Sequence, residues 1–213
     1  MSTTIAPARP ARSSRRGTMR TLGAAFRAML VATVVLGLAY PLLITGIAQS
    51  ALSWQANGSL IADSHGNAVG SALLGQTFAD ASGKPLATYF QPRPSAAGKG
   101  YDATASGGTN LGPSNKTLVK QIDANGAAIA AFNGVDPSAV PPDAVTSSGS
   151  GLDPDISVAY ALIQVDRVAQ ARGMSDAAVR ALVEANTLPR DIGFLGEPRV
   201  NVLKLNLALD SAK

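Results

Sequence analysis

The sequence predicts a single N-terminal transmembrane helix followed by a small, loop-rich α+β domain. Three observations lead to this fold class. Residues 28–48 carry no charged side chain over 21 consecutive positions, a length sufficient to cross a bilayer. The 165 residues from 49 to 213 are enough for one compact domain with its own core. Their short apolar segments, some with strand-like and some with helix-like spacing, are separated by long stretches rich in glycine, proline and serine.

The uncharged stretch 28–48 is predicted to be a helix that stays in the membrane. A helix of this length spans roughly 30 Å, the thickness of the hydrocarbon core. Lipid offers backbone groups no hydrogen-bond partner, so a spanning segment should be helical, and Pro41 is compatible with that. The alternative is a cleaved signal peptide, for which Gly46-Ile47-Ala48 supplies small residues at a cleavage site. The apolar run exceeds the usual length of about 7–15 residues for such a peptide, so we predict a retained anchor.

Positive charge is concentrated in residues 1–27, which we predict to be a disordered cytoplasmic leader. This stretch contains six arginines and no acidic residue. Positive charge beside a first membrane segment stays on the cytoplasmic side, which places residues 49–213 outside the cytoplasm. After residue 48 there are 12 Lys and Arg against 14 Asp and Glu. With no basic excess and few aromatic residues in that domain, a nucleic-acid-binding function is excluded.

The first half of the outer domain is predicted to be mostly loop. Two short strands are expected at 59–62 and 68–71, separated by a turn-rich cluster. Residues 89–94 should be extended because their prolines disfavour helix. Glycine-rich residues 98–114 are predicted to form a loop. A helix should then begin at Ser114, a good N-cap residue, with Gly126 weakening its second half.

The second half contains the clearest helix signal. Asp153 as N-cap, with Pro154 at the first helical position, predicts a helix that runs to Arg172 and ends at Gly173. Its apolar positions form one stripe. Residues 136–151 before it should be loop. A shorter helix is expected over 175–185 and a strand over 200–205.

No constellation of residues predicts catalysis or metal binding. The chain has one histidine, His65, placed in a turn, and no cysteine, so neither a Ser-His-Asp triad nor a zinc site is expected. The glycine-rich stretch 106–115 lacks the Gly-Lys-Ser/Thr ending of a P-loop. The stretch 146–154 precedes a helix, but Asp153 and Asp155 would oppose an anion there. Both stretches are interpreted as turns with an N-cap.

Gln164 and Arg167 lie three positions apart on the polar side of the main predicted helix. Residues at this spacing are neighbours on a helix surface, and together they could receive a ligand or a partner. Most such pairs belong to a solvated face. From the residues alone, the chain is predicted to be a single-span protein with a loop-rich outer domain, which fits an accessory subunit better than an enzyme.

Several loops and helices carry distinctive motifs, which occur in order along the chain: YFQPRPS at 89–95, YD at 101–102, SGGTNLGPSN at 106–115, VP at 140–141 followed by DAVT at 143–146, SGSGLDPDIS at 148–157, QVDRVA at 164–169 and GEPRVNVLKLNLAL at 196–209. In these motifs the chain resembles the KdpC family, the C subunits of the bacterial potassium-transporting Kdp ATPase. The resemblance extends from the membrane span almost to the C-terminus. The arginine-rich leader is longer than expected for that family.

The resemblance implies a place in a complex of the bacterial inner membrane. Its partners would be a potassium-channel-like A subunit, the P-type B subunit that hydrolyses ATP, and a small F subunit, together with membrane lipid. The C subunit would be non-catalytic, needed for assembly and activity, and a catalytic chaperone that raises the B subunit's affinity for ATP. The glutamine implicated in that family corresponds to Gln164. No nucleotide motif is visible, so ATP is a ligand by resemblance only. With the domain on the outer, periplasmic face, its effect on ATP should be transmitted through the membrane part.

Other residues of the motifs are candidate contacts with partners or ligands: Arg93, Ser106, Gly107, Gly108, Asn110, Asn115 and Arg167. Two functions of other classes stay open. One is a membrane-anchored outer-face module that binds a small ligand or peptide through the glycine-rich loops. The other, less favoured, is an anchored hydrolase that uses His65 and a serine.

Overall fold

The computed structural model describes residues 15–212. The chain divides into two compact units, Met1–Asn57 and Gly58–Lys213. The first unit contains a long apolar helix and the second a small α+β domain. The first 14 positions of the predicted leader lie outside the described residues.

The apolar helix consists of α1 (Arg15–Val34), a π-helical turn (Val35–Ala39) and α2 (Tyr40–Ala51). The π turn ends two residues before Pro41, whose backbone has no N–H to donate. The amide of Tyr40 donates to the carbonyl of Val35, so the wider turn keeps that amide bonded. Residues 17–51 form the one helix within 15–212 that is long and apolar enough to cross a membrane.

This helix corrects the prediction for the leader. Residues 15–27 were expected to be disordered, but they belong to α1. Once a helix is nucleated, each further residue adds one hydrogen bond at low entropic cost. The apolar span nucleates this helix, and Arg, Met, Ala and Leu in 15–27 are good helix formers that extend it. A four-residue helix, α3 (Ser53–Ala56), follows the span.

The α+β domain begins with a hairpin of β1 (Leu60–Ala62) and β2 (Ala68–Ser71), as predicted. Its turn is closed by Asp63, whose carboxylate accepts from the amides of His65 and Asn67 at 2.9 Å each. A second sheet has three antiparallel strands in the order β3 (Asp155–Ser157), β5 (Arg199–Asn201), β4 (Thr187–Leu188). The remaining helices are α4 (Lys116–Asn133), a 3-10 turn (Pro137–Ala139), α5 (Pro142–Val145), α6 (Val158–Ile163), α7 (Val165–Arg172), α8 (Asp176–Ala185) and α9 (Val202–Ser211).

Two predicted elements change type because they pair across the chain. Residues 155–157 were expected to be helical, but they form β3 against β5, and helix α6 begins only after its N-cap Ser157. Asp153 caps a local turn, where its carboxylate accepts from the amide of Asp155 at 3.0 Å. The predicted strand 200–205 ends at Asn201, whose side chain caps α9. The pairing joins residues about 45 positions apart, so a local pattern cannot reveal it.

The helix predicted from Ser114 begins two residues later. Asn115 is its N-cap and accepts from the amide of Thr117 at 2.8 Å. The helix continues through Gly126 to Asn133 and ends at Gly134, which has a left-handed φ of 66°. A single glycine costs a helix only about 1 kcal/mol, which the packing of α4 offsets. Helix α7 ends at Gly173, as predicted. Helix α8 covers 176–185, in agreement with the helix expected over 175–185.

One apolar core lies between the three-stranded sheet and the helices that follow it. Ile156 and Val200 come from the sheet, and Phe90 enters from an extended loop. The helices supply the remaining buried side chains: Ala144, Tyr160, Ala161, Val165, Val168, Ala169, Val179, Val183, Val202, Leu205 and Leu209. This core therefore fixes α7 and α9, which carry the polar side chains described next.

Gly151 is predicted to be essential for the packing of the two glycine-rich loops. It has a φ of 66°, and an added Cβ would lie 2.6 Å from the nitrogen of Ala97 and 2.7 Å from the carbonyl oxygen of Gly107. We expect Gly151→Ala to lower the free energy of unfolding by roughly 1–3 kcal/mol because backbone on two sides must move. Urea unfolding of the full chain in detergent, followed by circular dichroism, measures this.

Gly149→Ala is the matched control, since nothing lies within 4 Å of a Cβ at that position. Its change should stay within about 0.5 kcal/mol. Equal losses for the two variants would contradict the close approach at Gly151.

Candidate functional site

The segment 87–94 (ATYFQPRP) belongs to neither sheet: it begins with a turn at 87–89 and continues through 90–94 without regular secondary structure. Pro92 and Pro94 have no amide hydrogen, which bars the segment from pairing along its full length with a neighbouring strand. Phe90 is fully buried nonetheless, so the backbone around it needs hydrogen-bond partners within the protein. Side chains from the helices provide them.

Two buried amide side chains bind consecutive residues of this segment. Asn206 of α9 accepts from the amide of Phe90 at 2.9 Å and donates to its carbonyl at 3.0 Å. Gln164, between α6 and α7, accepts from the amide of Gln91 at 2.7 Å and donates to its carbonyl at 3.1 Å. Each amide therefore reproduces the two hydrogen bonds of a β-strand neighbour. We call Gln164 and Asn206 the amide pair.

Arg167 of α7 supports the same segment from within the core. Its guanidinium donates to the carbonyls of Ala87 at 2.5 Å and Tyr89 at 3.0 Å. It also donates to Oε1 of Gln164 at 2.7 Å and to Oδ1 of Asn133 at 2.9 Å. Arg167 thus connects the loop, the amide pair and helix α4.

Every hydrogen-bond acceptor named for Arg167 is neutral. Burial lowers the pKa of Arg167 to about 10, so the side chain stays charged at neutral pH. The ring of Phe132 lies 4.5 Å from the guanidinium carbon and adds a cation–π contact. Hydrogen bonds from a charged donor are about twice as strong as neutral ones, and here they offset the cost of removing the charge from water.

Arg172 of α7 also binds this segment, and one of its partners is a carboxylate. It donates to the carbonyl of Thr88 at 2.6 Å and forms an ion pair with Asp210 at 2.8 Å. Its guanidinium also lies over the ring of Tyr89, 4.7 Å from the centroid. The backbone carbonyls from residue 87 to 91 are therefore all bound by side chains.

The segment also borders a cavity of about 610 Å³. Residues 91–95 line this cavity, together with Ile129 and Phe132 of α4. Arg93 is held there by an ion pair with Asp153 at 2.8 Å and a hydrogen bond to the carbonyl of Asp143. The volume matches that of a small-molecule site, and its walls are largely apolar with a few polar groups.

Two tyrosines border this cavity. The hydroxyl of Tyr101 donates to the carbonyl of Arg93 at 2.5 Å. Burial raises the pKa of Tyr101 well above its usual value and raises that of Tyr160 to about 12. Both phenols are therefore neutral donors at physiological pH.

The structure corrects the interpretation of Gln164 and Arg167 as a solvated face. Gln164 is 0% exposed and Arg167 is 9% exposed. The two side chains do form a polar face, as predicted, but that face contacts the backbone of residues 87–91 instead of water. Sequence spacing cannot show this because the partners are main-chain atoms about 75 positions away.

Of the other predicted contact residues, only Arg93 borders the cavity. Ser106 and Gly107 both bond the carbonyl of Ser150, at 3.0 Å from the Ser106 hydroxyl and 2.8 Å from the Gly107 amide. Gly108 packs against Gly149. The two glycine-rich stretches thus bind each other. Asn110 is exposed with a φ of 54°, and Asn115 caps α4.

Sequence reasoning missed Asn206 and Asn133. Asn206 had a visible signal, because an amide interrupts the apolar run of α9 between buried Leu205 and Leu209. A buried amide must find a hydrogen-bond partner. Asn133 ends a helix and had no such signal. Within residues 15–212 no group of three His, Cys, Asp or Glu side chains is placed to hold a metal ion.

Comparison with known proteins covers both structural units. Residues 22–211 match the family described as KdpC, the c chain of the K+-transporting ATPase. A potassium-transporting ATPase KdpC subunit of Caulobacter vibrioides is 58% identical over 180 residues, 84% of this chain and 87% of the relative. Subunits of the same name from Beijerinckia indica and Kineococcus radiotolerans are each 52% identical. Those alignments cover 88% and 86% of this chain, and 91% and 90% of the relatives.

Arg167→Lys should lower the free energy of unfolding by roughly 2–4 kcal/mol, because a lysine cannot present the planar fork that reaches four acceptors. Urea unfolding of the full chain in detergent tests this. Arg180→Lys, an exposed position on α8, is the matched control and should change the value by less than about 0.5 kcal/mol. A loss at Arg167 no larger than that of the control would show that the buried network contributes little to stability.

Proposed function

Since this chain belongs to the KdpC family of K+-transporting ATPase c chains, we propose that it is the accessory C subunit of an ATP-driven potassium uptake complex. The observation that carries the proposal is the match over residues 22–211, which takes in most of the apolar helix and nearly all of the α+β domain. In this proposal the subunit is needed for assembly and activity of the complex. Its partners are the channel-like A subunit, the P-type B subunit and the small F subunit.

The apolar helix is proposed to anchor the chain in the bacterial inner membrane with its N-terminus inside. The six arginines of residues 1–27 support this orientation. The α+β domain would then lie on the periplasmic face. The ranges proposed for leader, span and outer domain are 1–27, 28–48 and 49–213.

The subunit is proposed to act on the B subunit without hydrolysing ATP itself. It would raise the affinity of the B subunit for ATP, an effect that must pass through the complex if the domain is periplasmic. His65, on which a hydrolase would depend, lies in the exposed turn of the β1–β2 hairpin and contacts Ser64, its neighbour in sequence, at 3.4 Å. The comparisons give no support to the alternative of a membrane-anchored outer-face module that binds a small ligand or peptide.

An affinity-tagged full chain, purified from membranes that also produce the other subunits, is expected to bring the channel-like and P-type subunits with it. Complexes made without the chain should lose potassium-stimulated ATP hydrolysis. Mass spectrometry identifies the subunits, and phosphate release measures the hydrolysis. Isolation of the tagged chain alone, with a fully active complex formed in its absence, would refute the proposal.

A reporter enzyme that is active only outside the cytoplasm, fused after Lys213, is expected to be active. A second reporter that functions only in the cytoplasm, fused at the same position, is the control and should be inactive. The arginine-rich leader is the reason for this expectation. The reverse pattern would overturn the orientation and place the α+β domain beside the nucleotide-binding part of the pump.

A further inference from the structure

Both polar atoms of the Gln164 side chain are hydrogen-bonded within the protein. Its Oε1 accepts from the Gln91 amide at 2.7 Å and from Arg167 at 2.7 Å, and its Nε2 donates to the Gln91 carbonyl at 3.1 Å. The side chain is fully buried, and Gln164 does not line the cavity. A nucleotide could contact Gln164 only if the residues that bury it moved away.

A change at Gln164 would nevertheless reach the cavity through Gln91. The side chain of Gln91 donates to the carbonyls of Phe78 at 2.9 Å and Leu86 at 3.0 Å. Gln91 also lines the cavity, together with Thr77 and Pro85 from the stretch that it bonds. The position of its backbone therefore determines two adjoining parts of the cavity wall.

We propose that Gln164 is a positioning residue that fixes the backbone of Gln91, and that it influences the pump through the cavity wall without contacting nucleotide. This inference rests on the proposed function, the effect of this subunit on the ATP affinity of the complex. Asn206 does the same for Phe90 from a different helix. The two members of the amide pair thus act on one segment, although their side chains belong to separate elements.

Asn206 makes the proposal testable. If Gln164 acted by touching nucleotide, a change at Asn206 would have no equivalent effect. If both act through residues 90–91, removal of either amide should have the same functional result. Gln164→Met and Asn206→Leu keep side chains of similar size and remove the hydrogen bonds. Gln170→Met, at an exposed glutamine of α7, is the matched control.

The test uses the assembled complex with the full chain. Potassium-stimulated ATP hydrolysis as a function of ATP gives kcat and the apparent KM for ATP. Hydrogen exchange of peptides that contain the amides of Phe90 and Gln91 reports on the segment. We expect both amide-pair variants to raise KM by a few-fold to about tenfold, with a smaller change in kcat, and to speed exchange at 90–91. The control should match the unmodified complex in both measurements.

Three results would each contradict one part of the proposal: the indirect action of Gln164, the role of the amide pair, or the effect on ATP affinity. A raised KM for Gln164→Met alone, with Asn206→Leu unchanged, would refute positioning and favour direct contact. Unchanged exchange at 90–91 in both variants would refute the role of the amide pair. Faster exchange with no change in KM would refute the proposed effect on ATP affinity. If Gln164→Met prevents isolation of the complex, Gln164→Glu replaces it. That variant keeps the two acceptor bonds but cannot donate to the Gln91 carbonyl, so it should also raise KM.

Discussion

The fold of the α+β domain depends on how the backbone of residues 87–94 is hydrogen-bonded. Phe90 of this segment is buried in the core, but the prolines at 92 and 94 keep the segment out of both sheets. Unpaired buried backbone groups would cost about 1–3 kcal/mol each. Asn206, Gln164, Arg167 and Arg172 bind these groups in succession. The helices α7 and α9 are therefore held in position by the loop as much as by the sheet.

A buried charge completes this arrangement. Arg167 reaches two carbonyls of the segment, one amide of the amide pair and the last residue of α4. A carboxylate would neutralise the guanidinium, but it would accept hydrogen bonds on only one side of it. Neutral acceptors in four directions instead join three parts of the domain through one side chain. The arrangement connects the core to α4, and α4 lines the cavity together with residues 91–95.

Most of the motif residues that connect the chain to its family make contacts within the domain, away from the cavity. The motifs with the greatest resemblance to the family include the glycine-rich loops, which bind each other through Ser106, Gly107 and Ser150. The motif residues Gln164 and Arg167 lie beneath the surface. Much of this resemblance is therefore explained by the requirements of folding, and Arg93 is the predicted contact residue that borders the cavity.

The sequence by itself determined the apolar helix, the β1–β2 hairpin, the position of α8 and the end of α7 at Gly173, because each depends on neighbours a few residues apart. Its local patterns also led to the family. Only the tertiary structure decided that residues 155–157 form a strand, that 202–211 form a helix, and that Gln164 and Arg167 are buried. Strand β3 pairs with residues about 45 positions away, and Gln164 and Arg167 bond main-chain atoms 73 and 80 positions away. Asn206 of α9 bonds the backbone of Phe90, 116 positions away. The spacing of polar residues in the sequence is the same whether their side chains contact water or the main chain of a distant loop. Only the folded structure shows which of the two they contact.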